Sequence, residues 1–129
     1  MAKHKGHIRN GMGSVRPYLH GPLELLDFLK HVFGAVERER HDFDEQSCHV
    51  ELQIDDSIVV VEAGDLPRDI SPWRCATYVY VANVDDVYSR ALALGATSLS
   101  EPTEKPYQER QAGFHDVAGN TWWISTYKT

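Results

Sequence analysis

His49 and Glu51 stand two residues apart in the run Cys48-His49-Val50-Glu51-Leu52-Gln53-Ile54. In an extended chain alternate side chains share a face, so this spacing sets an imidazole beside a carboxylate. Such a pair can act as acid and base, each group tuning the other's affinity for protons. The same residues also suit a solvated strand face bonded to its neighbours. Tyr107 and Arg110 lie in a segment rich in charge (Glu101, Glu104, Lys105, Glu109), which reads either as a rim closing over a ligand or as a solvated loop. Trp122 and Trp123 are adjacent, so in a strand they face opposite ways, one into the core and one outward as a stacking wall. Tyr18, Tyr78 and Tyr80 read first as packing or interface residues.

Other chemistries lack their residues. No GxSxG elbow, phosphate loop or dinucleotide glycine pattern occurs. The remaining histidines (His4, His7, His20, His31, His41, His115) lack metal spacing and read as surface or structural. Cys48 and Cys75 have no CxxC spacing and read as ordinary buried thiols, which makes a reducing, cytoplasmic compartment the expectation.

Alternating and helical patterns give the elements that must carry these groups. Ser14–Leu19 is extended. Pro22 opens a helix whose stripe of Leu23, Leu25, Leu26, Phe28, Leu29, Val32 and Phe33 closes at Gly34. Ala35–His41 alternates weakly, Cys48–Ile54 alternates cleanly, Asp55-Asp56-Ser57 turns, and Ile58–Glu62 is β-branched. The same order returns after Gly64–Arg74: strand Ala76–Ala82, a helix capped near Asn83–Asp86 with Val87, Ala91 and Leu94 on its stripe, a stop at Gly95, then strands at Thr97–Ser100, Gln108–His115 and Thr121–Tyr127. Gly34-Ala35 and Gly95-Ala96 lie at the same offset as Asp55 and Asp116, the signature of an internal duplication. The expected fold is α+β, two β-α-β-β-β modules whose curved mixed sheets carry a helix on the convex face. The first module spans 14–63 and the second 75–128 within one domain, 14–129, joined by a linker at 64–74. Residues 1–13 read as a flexible basic tail without an apolar anchor.

Composition narrows the function classes. The 129 residues hold 13 Lys and Arg against 19 Asp and Glu, a net charge of −6. Four of the cations, Lys3, Lys5, Arg9 and Arg16, precede any acid, so the body is more acidic still. An acidic body argues against a nucleic-acid partner, and no apolar run approaches a membrane span.

Four stretches together resemble the vicinal oxygen chelate superfamily, in particular its small single-domain glyoxalase/bleomycin-resistance-like group. They are Pro17-Tyr18-Leu19 with Asp27-Phe28 and Phe33-Gly34-Ala35; His49-Val50-Glu51-Leu52; Val84-Asp85-Asp86-Val87-Tyr88 with Gly95-Ala96; and Tyr107–Arg110 with Gly119-Asn120-Thr121-Trp122-Trp123-Ile124. The resemblance implies the paired-module fold and a ligand in the groove of a sheet. The four metal-ligand positions of the superfamily's metal enzymes would fall at about Arg16, Glu51, Thr77 and Trp123. Only Glu51 is a competent ligand there, with His49 able to add a second, because a guanidinium has no lone pair to donate. The implied function is therefore a metal-free protein that holds a small aromatic or cationic organic molecule, as a homodimer. Its ligand-binding residues would be Arg16, Tyr18, His49, Glu51, Thr77, Tyr107, Arg110 and Trp123. The alternative is a glyoxalase-like lyase or isomerase using Glu51 and His49 as acid and base, with a divalent metal as its possible cofactor. Arg16 would pair with Glu51 in place of the metal, or hold an anionic substrate.

Overall fold

A computed structural model describes residues 6–65 and 75–128. Strand β1 (Tyr18–Gly21) leads into helix α1 (Glu24–Phe33), followed by β2 (Val36–Asp44), β3 (Ser47–Ile54) and β4 (Ser57–Gly64). The order repeats as β5 (Ala76–Tyr80), α2 (Val84–Ala93), β6 (Thr97–Lys105), β7 (Glu109–His115) and β8 (Thr121–Tyr127). Each module forms its own four-stranded sheet, ordered β1-β4-β3-β2 and β5-β8-β7-β6. In both, the first strand runs parallel to the last and the remaining pairs are antiparallel. The expected α+β duplication is the fold.

Local chemistry explains where the helices begin and end. Pro22 lends its carbonyl to the Leu25 N–H at the start of α1. Gly34 ends the helix in the left-handed region at φ 67°, its N–H reaching the Leu29 carbonyl, a conformation that costs glycine least. At α2 the Asn83 side chain accepts the Asp86 N–H at 3.2 Å, satisfying one of the helix's open donors. Leu94, expected on the buried stripe of α2, instead caps it and stays 43% exposed. Strands β2 and β6 run on to Asp44 and Lys105, beyond their expected ends at His41 and Ser100. Ladder bonds to β3 and β7 extend them where side-chain alternation gives no signal.

The two helices and the inner faces of both sheets share one core. Leu25, Leu29 and Val32 of α1 lie with Leu19, Val50, Leu52, Val59 and Val61 of the first sheet, all nearly inaccessible. The core continues into the second module: Phe33 packs on Phe114 and Trp122 at ring-centroid separations of 6.3 and 4.8 Å, and Phe28 on Phe114 at 6.3 Å. The modules are thus fused through aromatic rings, whose offset and edge contacts add to their burial. Asp116 fixes the β7–β8 turn by accepting the N–H groups of Ala118 and Asn120 and, through its other oxygen, the Trp122 indole N–H at 2.8 Å.

Two expectations concern the segments outside the modules. The expected linker, 64–74, begins inside β4 at Gly64, and its residues 66–74 lie outside the described residues. Of the expected flexible tail, residues 1–5 likewise lie outside them, but Arg9–Gly11 forms a 3₁₀ turn and Gly13 lies against Ile58. Among the described residues no helix is long and apolar enough to cross a membrane.

Candidate functional site

With α1 and the core on one side of the first sheet, alternation turns Tyr18 and His20 of β1, Val60 and Glu62 of β4, and His49 and Glu51 of β3 to the other side. The ladder sets His20, Glu62, His49 and His41 in one cross-strand row and Tyr18, Val60, Glu51 and Glu39 in the next. Arg16, two residues before Tyr18, points to the same face and donates to Glu51 Oε1 at 2.8 Å. The pair is nearly buried, with 14% and 10% of the two side chains exposed. The guanidinium is also held by three backbone carbonyls, those of Gly13 (2.7 Å), Met12 (2.9 Å) and Arg9.

His49 lies between two carboxylates, with Nε2 at 3.3 Å from Glu51 Oε2 and Nδ1 at 3.1 Å from Glu62 Oε1. Tyr18 extends the chain by donating to Glu62 Oε1 at 2.9 Å. Burial, reinforced by the Glu62 charge, pushes the Tyr18 phenol above its ordinary value. The run Tyr18, Glu62, His49, Glu51, Arg16 is continuous. Beside it, Arg9, Glu39, Arg40, His41, His49 and Glu51 enclose an open cavity of about 230 Å³. Tyr18, Arg16, His49 and Glu51 are therefore brought together as the alternation of β3 and the position of Arg16 suggest. Glu62 and Arg9 complete the group. The cross-strand register would have found Glu62; Arg9 needs the 3₁₀ turn, which has no apolar period to announce it.

The second sheet carries a different surface on the face away from its helix. Trp122 is fully buried in the core while Trp123 lies on the opposite face of the sheet, its indole against Gly113, where a Cβ would come within 2.5 Å of Cζ3. Tyr78 is Trp123's neighbour across the β5–β8 ladder. One row along, Tyr80, Ser125 and Gln111 lie side by side, and Glu109 and Tyr127 form the next. Glu109, in the segment read either as a rim closing over a ligand or as a solvated loop, is only 7% exposed. Its carboxylate accepts the hydroxyls of Tyr78, Tyr80 (2.8 Å) and Ser125 (2.7 Å). Those bonds, Tyr78's first, hold its carboxyl below the ordinary value, and the Tyr80 phenol is raised in return by its bond to Glu109. Gln111 Nε2 donates to Tyr78 Oη at 3.0 Å and to Tyr107 Oη at 3.3 Å.

Thr77 and Arg110 join neither group. Thr77 pairs with Trp122 and shares the core side of β5 with Cys75 and Val79, at the seam between modules. Arg110 alternates away from Glu109 and Gln111 and makes a two-pronged contact with Asp85 of α2, both bonds at 2.9 Å, plus one to Glu104 at 3.1 Å. Alternation along β5 sends Thr77 to the core side, opposite Tyr78 and Tyr80; for Arg110, the carboxylate on α2 claims the fork. Cys48 is buried, and Cys75 is half-exposed with Sγ 3.6 Å from Thr77 Oγ1.

Comparison with known proteins accords with the paired-module fold. The pattern of the Glyoxalase/Bleomycin resistance protein/Dioxygenase superfamily matches residues 23–124, most of both modules. The chain belongs to that superfamily. Solved structures of similar fold include TioX from Micromonospora sp. ML1, at 22% identity and a TM-score of 0.67, covering 89% of this chain and all of that one. The fosfomycin resistance protein FosX from Listeria monocytogenes matches at 18% identity with a TM-score of 0.69, covering 90% of this chain and 94% of its own. FosX has also been crystallised with Mn(II) and sulfate, and that form matches at 21% identity, a TM-score of 0.63, and 90% and 93% coverage. A comparison with curated proteins gives no match.

The four positions the resemblance assigns to ligands hold a guanidinium, the carboxylate it binds, a hydroxyl on the opposite face of its strand and an indole. Among the described residues no three His, Cys, Asp or Glu side chains converge as a metal-binding group. These residues do not fit a catalytic divalent ion, which needs three or four converging N or O donors.

Proposed function

We propose that this superfamily member binds a small organic molecule in the grooves of its sheets and does so without a metal. The observation that carries the reading is the Arg16–Glu51 bond at 2.8 Å. It occupies the one competent ligand position with a cation fixed by three carbonyls, while the second sheet offers rings in place of ligands. Trp123, Tyr78 and Tyr107 make that face a stacking surface, and aromatic contacts supply affinity at little cost in side-chain freedom. The protein works as a homodimer: β1 and β5 are open sheet edges, and exposed edges favour pairing. The two free thiols, Cys48 and Cys75, support a reducing, cytoplasmic setting.

A second reading has its own support. The chain Tyr18, Glu62, His49, Glu51 is a path along which a proton can shift, as a lyase or isomerase would need. Titration with planar aromatic compounds, followed by quenching of tryptophan fluorescence, separates the two. Saturable quenching that Trp123→Leu removes and Glu51→Gln leaves in place is expected. A glyoxalase-type turnover abolished by Glu51→Gln would replace binding with catalysis.

A further inference from the structure

Residues 8–16 lie on the outer face of the first sheet without belonging to it. None of them is buried, and among the described residues no backbone hydrogen bond joins them to a strand. The first such bond runs from the Val60 N–H to the Pro17 carbonyl. The conformation of the segment is nonetheless specific. Asn10, Gly11 and Gly13 occupy the left-handed region at φ 64°, 69° and 69°, which asparagine and glycine enter at least cost. Arg16 then ties the segment to itself. Three of its four bonds reach the carbonyls of Arg9, Met12 and Gly13, and only the fourth reaches the sheet, at Glu51.

Beneath this segment is a residue whose burial the core does not explain. The β3–β4 register pairs Ile58 with Gln53 and turns it to the same face as Val60 and Glu62, away from α1. Ile58 is not among the residues of the shared core, yet it is wholly inaccessible. Strand β1 begins only at Tyr18, opposite Val60, and stops short of it. Gly13 lies over it instead, so close that a Cβ there would come within 3.3 Å of the Ile58 nitrogen and 3.4 Å of its side chain.

The remaining attachments to the sheet are ionic. Arg16 Nη1 lies 2.8 Å from Glu51 Oε1, Arg9 Nη1 3.4 Å from Glu39 Oε1, and Arg9 Nε 3.9 Å from Glu51 Oε2. Arg9 also forms one wall of the open cavity beside His49 and Glu51. A segment with so few buried apolar contacts and no ladder bonds belongs to the part of a protein that opens most readily. Its Arg9 side chain is 62% exposed, so salt weakens the pairs it makes.

We infer that residues 8–16 are a strap that lifts from the first sheet as a unit about Pro17, uncovering Ile58, freeing Glu51 and opening the cavity beside His49. The internal bonds of Arg16 keep the strap's shape as it moves, and the pairs to Glu39 and Glu51 latch it. As the gate of a groove assigned to a ligand, the strap rests on the binding reading above, but its opening is measured with nothing bound.

Methanethiosulfonate labelling of Ile58→Cys, made in a Cys75→Ser chain, reads that opening. The buried core thiol Cys48 is the internal marker of global unfolding, and mass spectrometry tells the two sites apart. Position 58 is expected to label about a hundredfold faster than Cys48. Arg9→Ala should speed it several-fold again while leaving the Cys48 rate unchanged. The unaltered chain gives a second reading, which decides alone if Ile58→Cys does not fold. Trypsin can cut after Arg9 only when the segment leaves the sheet and extends. That cut, relative to the same cut in a free peptide of residues 1–16, should quicken several-fold between about 0.05 M and about 0.5 M salt. Labelling at position 58 no faster than at Cys48, or cleavage indifferent to salt, overturns the strap and leaves the binding reading standing.

Discussion

Arg16 and Glu51 meet through a single 2.8 Å bond across the mouth of the first sheet, but they are held in place very differently. Glu51 is fixed by its strand, whereas Arg16 precedes β1 and is placed by the carbonyls of Arg9, Met12 and Gly13. Removing Arg16 leaves a nearly buried carboxylate with only Arg9, at 3.9 Å, and His49, at 3.3 Å, beside it. For Arg16→Met we expect a loss of about 2–4 kcal/mol, a fall in Tm on the order of 10 °C. The double variant Arg16→Met/Glu51→Gln should recover most of it, since an apolar and a neutral group in place of a buried pair is often near neutral. Thermal melts of the two single variants and the double one decide this; a double variant no better than Arg16→Met would show that the pair does more than balance charge.

The N-terminal segment gives a second expectation. A chain beginning at Ser14 lacks all three carbonyls that hold Arg16, and lacks Arg9, whose Nη1 lies 3.4 Å from Glu39. The guanidinium regains water in exchange, so the net cost is about 1–3 kcal/mol. A truncated protein that melts with the full-length one would show that the 3₁₀ turn only rests on the sheet.

How far these relationships could be read from sequence follows from what periodicity encodes. Alternation at Cys48–Ile54 placed His49 and Glu51 on one face, and the adjacency of Trp122 and Trp123 split them between core and groove, because a two-residue period states direction outright. It says nothing of pairing. Glu62 is legible as a strand residue, but that it reaches His49 depends on the β3–β4 register. Glu109 shows the limit most clearly. In the sequence it is one acid among several in a charged run; in the fold, β5 brings Tyr78 and Tyr80 to it from about thirty residues away. Arg110 beside it was drawn to Asp85 by a tertiary contact that no local pattern announces.

Acid should expose the role of Glu109. Its folded-state carboxyl is held below the ordinary value of 4.5, first by the Tyr78 hydroxyl and then by Ser125 and Tyr80. A depressed value means the contribution to stability is complete above about pH 4.5 and is lost as pH falls through the folded-state value. Melting temperatures across this acid range should therefore fall less steeply for Glu109→Gln than for the unaltered protein. Parallel curves would show that the tyrosine bonds do not favour the charged form.

The last expectation concerns Gly113, which sits under Trp123 at the edge of the tyrosine surface. Its backbone is ordinary strand, so the reason for glycine is space. A Cβ there would lie 2.5 Å from Cζ3 and 2.6 Å from Cε3 of the indole, far inside contact distance. The ring must lift or rotate, because on its other side the β7 and β8 backbones are locked by the ladder from Glu109–Tyr127 to His115–Thr121. Overpacking of this kind costs about 1–3 kcal/mol, but here the ring lies half-buried on the outer face of the sheet and can move outward. Gly113→Ala should accordingly melt only slightly lower, at the small end of that range, while the near-ultraviolet circular dichroism of the tryptophans changes and binding of planar aromatic compounds weakens several-fold. If stability falls sharply while that affinity holds, the indole is a packing residue and the stacking surface lies elsewhere on the sheet.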